Sequence, residues 1–411
     1  MNRLTLAPQE HGELISLLPQ ELIEHILSLL DDRQALKICA SASSTLRSPC
    51  QRLLFSSFAL FPPLPSDSQS GETDRARDLL ALLSDAPHIP AYVRSLTVYL
   101  TNELTVGIIR NFCNFTTLRV VAAPAGRLWD ALPEPARAAI ADAVQLSSLR
   151  TLVLAQLGIS GPAFSTLLNE GARRDFGLEL LRLENIWTGE SEACFVDPAN
   201  LLKVERVVVD SESMDNDADG IVNTLGQILD PDSVHYVCGA FASAEKAEQL
   251  RRLLELVGKG VEHLHLGCAF NRPLDASPDI RSLTNLHTLE FTVRIPSQYL
   301  TSVRATEVHY ERWVVHLVRL LASPTPSTGT GTGESMRIHR VQINALLQTP
   351  YEADLFFLAY LEKLDLLFAK ETGPFQYLRE VLVRLILPTK QATGEFGTIG
   401  ASGGFPYANG S

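Results

Sequence analysis

Three short strings in this 411-residue chain combine residue types and spacings that could do chemistry. Asp215, Asp217 and Asp219 alternate ahead of Gly220, as at the opening of an EF-hand loop, where oxygen ligands alternate and glycine permits the sharp turn. Position 12 of such a loop needs a bidentate glutamate, and Gly226 stands there. The string therefore predicts an acidic turn capping the following helix, not a calcium site. Gly400, Ser402 and Gly404 fit the Gly-x-Ser-x-Gly of a hydrolase nucleophile elbow, but the strand, helix and downstream histidine that such an elbow requires do not accompany them. Gly329 to Gly333 alternates glycines without the Gly-Lys-Ser/Thr of a phosphate loop. His263 and His265 flank Leu264 in a strand pattern, which turns both imidazoles away from the packed side and predicts solvated side chains. Cys39, Cys50, Cys113, Cys194, Cys238 and Cys268 form no CxxC pair, and they read as small buried hydrophobes. No spacing supplies a convergent titratable set, so the expectation is a non-enzyme with no catalytic residue, metal or cofactor.

The elements around these strings are readable from periodicity. Apolar residues from Leu17 to Leu30 recur at helical spacing, with Pro19 where a first turn tolerates it. Asp31 and Asp32 offer N-caps to a second helix carrying Ala35, Leu36, Ile38 and Cys39. A third helical piece is expected from about Pro49 to Phe58. The Pro, Ser and Gly content of Phe61 to Asp74 predicts a linker.

Beyond the linker the chain repeats an L-x-x-L-x-L-like figure followed by a helical stretch. The figures begin at Val93, Phe115, Leu149, Leu178, Val204, Val261, Leu286, Ile338, Leu361 and Leu378, most of them roughly 22 to 34 residues apart. Helices are expected at Arg75 to Leu83, Pro135 to Val144, Gly161 to Ala172, Gly220 to Leu229, Ala244 to Val257 and Tyr310 to Leu321. A strand-then-helix unit cannot bury its apolar face alone, so neighbours must stack into an open solenoid of parallel strands. Ser323 to Ser335 and the tail from about Pro388 are too polar and glycine-rich to order themselves.

Composition narrows the function classes. With 45% hydrophobic and 20% charged residues the chain is globular in type. A net charge of -12 argues against nucleic acid as a partner, and the basic pairs Arg173-Arg174 and Arg251-Arg252 read as solvated helix faces. No stretch approaches the roughly 20 apolar residues of a membrane span, and the N-terminus lacks a signal-peptide layout. A cytoplasmic or nuclear location is expected.

The segment from Leu18 to Phe55, opening Leu18-Pro19-Gln20-Glu21-Leu22 and continuing through Ile26, Leu29, Leu30 and Leu36 to a closing aromatic, resembles the F-box. Many F-boxes carry an aromatic in the third-helix region, where this chain has Ser44-Thr45-Leu46-Arg47. The resemblance implies that Leu18, Pro19, Leu22, Ile26 and Leu36 bind the small adaptor protein of an SCF ubiquitin ligase and, through it, a cullin. The expected architecture is α/β: a three-helix F-box over residues 15–60, a linker over 61–74, an irregular leucine-rich-repeat-like solenoid with outer helices over 75–387, and a tail over 388–411. The expected function is a non-catalytic substrate-recognition adaptor, with a repeat scaffold independent of ubiquitination as the alternative. Outward-facing strand residues Tyr99, Arg182, Glu184, Asp210, His265, Glu290 and Asn344 are expected to line the target-binding surface, because they alternate with the buried positions.

Overall fold

The computed structural model describes residues 18–30, 32–60, 69–100, 108–122, 128–172, 177–188, 201–241, 244–269, 280, 283–294, 337–346 and 377–386. The described chain opens with three helices, α1 (Gln20–Ser28), α2 (Arg33–Ala42) and α3 (Ser44–Leu54). Asp32 caps α2 as predicted, its carboxylate accepting from the Gln34 amide at 2.8 Å. Helix α3 departs from expectation, starting at Ser44 and ending at Leu54 with Pro49 in its interior. An internal proline deletes one amide hydrogen bond, yet Pro49 and Cys50 are both buried, and that packing carries the helix through. Ile23, Leu27, Leu36 and Cys50 form a small core of their own.

Two residues after α3 the chain enters strand β1 (Ser57–Leu60), where helix was expected as far as Phe58. Phe55-x-x-Phe58-x-Leu60 is itself the strand figure. Strand β1 pairs in parallel with β2 (Ser95–Leu100), setting Phe58 beside Leu96 and Leu60 beside Val98. Helix α4 (Gln69–Asp85) begins inside the expected linker, and short α5 (Ile89–Tyr92) packs against α3. The stretch read as a boundary thus lies within the first strand-to-strand crossover.

The remaining elements are β3 (Thr117–Ala122), α6 (Glu134–Val144), β4 (Thr151–Ala155), α7 (Gly161–Ala172), β5 (Leu178–Glu184), β6 (Val204–Val209), α8 (Ser211–Ile228), β7 (Tyr236–Phe241), α9 (Ala244–Val257), β8 (His263–Ala269), β9 (Thr288–Arg294), β10 (Arg340–Leu346) and β11 (Glu380–Ile386). Among the described residues eleven strands form one all-parallel sheet in strict chain order. In-register pairing aligns the same position of every figure into rows across the sheet. From β2 to β10 the row holding Leu96, Leu152, Leu181, Leu264 and Val341 is buried in a core shared with α6, α7 and α9, while at its ends Phe58 is half-buried and Val381 exposed. Alternate positions face the other way, so the described helices lie on one face of the sheet, an α/β solenoid-like arrangement.

Nine of the ten sequence figures coincide with strands, and the tenth, at Leu361, lies outside the described residues. So do the expected helix at Tyr310, the segments at 323–335 and 388–411, and the glycine strings at 329 and 400. Helices α7 and α9 match their predicted spans. Helix α8 starts nine residues earlier than predicted, so Asp215 to Gly220 is neither calcium loop nor turn but helical backbone. Carboxylates in the first turns of a helix favour its positive end, and that outweighs the turn propensity of the Asp-Asn-Asp run. Among the described residues no helix is long and apolar enough to cross a membrane. Cys50 and Cys238 are buried as expected, whereas Cys113 is exposed.

Candidate functional site

The first candidate surface is on the N-terminal helices. Leu22, Ile26 and Leu29 recur at i, i+4 and i+7 on one side of α1, 49%, 52% and 68% exposed, and Leu18 continues the stripe upstream. On the opposite side Ile23 and Leu27 fill the local core. Ile38 on α2 adds a fifth exposed aliphatic. Exposed Pro19 is the N-cap residue of α1. Leu36, expected among the adaptor contacts, is instead buried in the three-helix core, so its role in this state is to join the helices. At the rim, Glu24 accepts from Arg52 at 2.7 Å and from Gln20 at 2.9 Å.

The second candidate surface is the other face of the sheet. One of its rows runs Thr97, Arg119, Val153, Arg182, Val208, Cys238, His265, Glu290 and Gln342 across β2 to β10. On β3 to β5, Glu184 takes two guanidiniums, Arg119 at 2.6 Å and Arg182 at 2.7 Å. Asp210 is engaged in the backbone: both its oxygens accept from the Asn185 amide at 3.0 Å, fixing a residue with φ of 51°. Tyr99, half-buried on β2, has Val121 and Ala155 as its row neighbours. The expected target-lining residues therefore divide, with Arg182 and Glu184 in one cluster, His265, Glu290 and Asn344 in another, and Tyr99 apart.

That second cluster spans β7 to β10. The His265 Nδ1 lies 3.1 Å from the Tyr236 hydroxyl and 3.4 Å from the Cys238 sulfur, and its Nε2 lies 2.7 Å from the Thr292 hydroxyl. The Glu290 Oε2 faces His263 Nε2 at 3.1 Å, while Oε1 accepts from Gln342 at 3.0 Å and Asn344 at 2.6 Å. Asn344 also reaches Thr292 at 3.4 Å, joining the two halves. At the outer edge the Arg206 guanidinium sits 4.6 Å from the centre of the Tyr236 ring, and the His263 ring meets that tyrosine edge-on. His265 is only 3% exposed, a correction to the expectation of a solvated strand histidine. Packed rows on neighbouring strands crowd the middle of this face, where Cys238, His265 and Thr292 are all buried.

Burial and neighbours set the charge states here. Burial lowers the His265 pKa from its ordinary 6.5, against an opposing pull from Glu290. Burial likewise pushes the Cys238 thiol up to about 12, and burial with Cys238 and Glu290 nearby raises the Tyr236 phenol. Burial acts to raise Glu290, but the His263 hydrogen bond, the imidazole of His265 and the Asn344 amide together bring it down to about 2. At neutral pH the lattice thus holds the Glu290 carboxylate as a fixed anion beside a His265 whose burial favours the neutral ring. Tyr236 donating to Nδ1 and Nε2–H donating to Thr292 is the assignment that suits a neutral imidazole.

Sequence reasoning found no convergent titratable set, and the structure brings one together. The missing members were Tyr236 and Cys238 on β7, an unread strand, together with Thr292 and Gln342. The signal was present: Val234-x-x-Val237-x-Gly239 keeps the strand figure with glycine at its last position. A thiol 3.4 Å from an imidazole has the composition of a nucleophilic dyad. Here the thiol is held protonated, which suits a hydrogen-bonded floor better than a nucleophile. Among the described residues no group of three or more His, Cys, Asp or Glu could hold a metal ion. Comparison with models of known protein families and with curated proteins returns no match.

Proposed function

We propose that this protein is a non-catalytic adaptor of an SCF-type ubiquitin ligase, the α1 stripe binding the ligase's small adaptor protein and, through it, a cullin, and the sheet face opposite the described helices holding a target protein. The stripe is the observation that carries this reading. A unit of three helices has few apolar side chains to spare, yet α1, its C-cap and α2 leave Leu22, Ile26, Leu29 and Ile38 about half or more exposed after their core is filled. A contiguous aliphatic surface on so small a unit is a liability unless a partner covers it. The F-box resemblance of Leu18 to Phe55 names the partner, and the leucine-rich-repeat-like rows suit an extended protein contact.

The test is calorimetry of the whole chain against the SCF adaptor, with a Leu22→Asp, Ile26→Asp variant alongside. Both positions are exposed, so the variant keeps the fold while it loses at least about a hundredfold in affinity. Absence of binding by the unaltered chain overturns the reading. A second reading, a repeat scaffold independent of ubiquitin, draws on the packing of α3 against α5 and on the Ser48 to Tyr92 hydroxyl contact at 3.5 Å. These are what a helical cap on the first repeat requires, and the same calorimetry separates the two.

A further inference from the structure

We infer that the β7 to β10 lattice is a proton-operated clasp, closed around a neutral His265 and loosened when that imidazole takes up a second proton. Its geometry makes His265 the joining piece. It holds Tyr236 and Cys238 on one neighbouring strand and is 2.7 Å from Thr292 two strands from them. Thr292 is tied in turn to Asn344 on β10. A neutral ring meets these partners with one acceptor and one donor. A doubly protonated ring has two donors, so the Tyr236 hydroxyl can no longer donate to Nδ1; it must accept instead and turn its own hydrogen elsewhere inside a buried cluster.

The charged and titratable groups around His265 pull in both directions. Arg182 on β5 and Arg206 on β6 face the Cys238 side of the cluster. Tyr236 and Cys238 stand on β7, His263 on the same strand as His265, Glu290 on β9, and the uncharged amides Gln342 and Asn344 on β10. Among the described residues Glu290 favours the added proton, and its carboxylate is already engaged by three donors, one of them His263. Burial and His263 oppose protonation, and burial is the largest influence.

The sign follows from linkage. A histidine whose folded pKa lies below 6.5 stabilises the closed arrangement above pH 6.5 and withdraws that support as pH falls below it. Any opening that lets water reach the ring gains up to about a factor of ten per pH unit, the limit for one proton. The consequence for a bound target rests on the reading of this face as the target surface, whereas the clasp itself does not.

The experiment is hydrogen–deuterium exchange on the whole chain at pH 7.5 and 5.5, corrected for intrinsic exchange, with the ring nitrogens of His265 followed by NMR over the same range. The clasp predicts that protection of β7 to β10 falls several-fold on acidification, that β2 to β4 do not change in step, and that His265→Gln removes the difference. A His265 that titrates at or above 6.5, or a pH response that persists in His265→Gln, overturns it. Should His265→Gln not fold, Glu290→Gln serves: losing the anion must move the His265 transition to still lower pH, and a transition that stays put or rises refutes the clasp. None of these outcomes depends on whether the SCF adaptor binds.

Discussion

The N-terminal helices and the strands of the sheet are built from the same aliphatic residues and treat them in opposite ways. Leu96, Leu152, Leu181 and Leu264 are wholly buried, each packed between two neighbouring strands and the helices behind them. Leu22, Ile26 and Leu29 stand largely in water although the local core is complete without them. A strand in a stack receives its cover from the next repeat, so an exposed leucine there is a defect. A three-helix unit has no next repeat, so its surplus aliphatic surface must be covered by another molecule or remain wet. The contrast makes the chain's two apolar populations separable by mutation.

The largest effect belongs to the stacked core. Phe164 on α7 is fully buried in it, and Phe164→Ala is expected to cost about 3–5 kcal/mol, read as a fall in the urea midpoint. Leu29→Ala, on the exposed stripe, is expected to change the same midpoint by no more than about 0.5 kcal/mol. Equal losses at both positions would remove the distinction drawn above. Gly158 comes next. A side chain there meets the Trp187 indole and the Leu128 methyl group, so Gly158→Ala is expected to destabilise by about 1–3 kcal/mol, measured by thermal unfolding together with indole fluorescence.

Asp32→Ala sharpens the helical side of the comparison. It removes the α2 cap and is expected to cost about 0.5–2 kcal/mol, visible as loss of helical circular dichroism without change in the sheet. A pH measurement probes the other side. Glu290 has its carboxyl depressed to about 2 from an ordinary 4.5, so the stability it contributes is present above pH 4.5 and is lost as pH falls from there towards 2. Glu290→Gln should flatten that part of the stability profile in acid unfolding. A small change is also expected at the exposed Glu24–Arg52 pair, where Glu24→Gln should alter stability by less than about 1 kcal/mol.

How much of this was legible in the sequence depended on whether the signal was local. The figure repeated at Leu149, Leu178 and Val261 marked strands because three apolar positions in six residues leave little else for the backbone to do. Strand β7 escaped because Gly239 replaces the last of the three, and a side chain there meets Leu250 from α9. Strand β1 escaped because Phe55 ends one pattern and begins another. The lattice was illegible for a different reason. Outward positions on successive strands are far apart in sequence, and only the register sets Cys238 beside His265 and His265 beside Glu290. Solvation was inferred for His265 from alternation alone, and alternation says which way a side chain points but not how closely its neighbours crowd it. The exposed stripe is readable as a helix face, whereas the burial of Leu36, an adaptor contact by the resemblance, shows only once the three helices pack.

Only Phe55 and Ser56 separate the last residue of α3 from the first of β1, and Phe55 packs against the core of the sheet. A joint of two residues, one of them wedged, absorbs little rotation. Eleven strands at about 4.8 Å spacing extend roughly 48 Å along the sheet. A tilt of the helices by a few degrees about a stiff joint at Phe55 would sweep the β11 end through several ångströms. The distance and heading of the far end from the α1 stripe are set by the number of strands between them, so inserting or deleting one repeat would change the reach without touching the stripe.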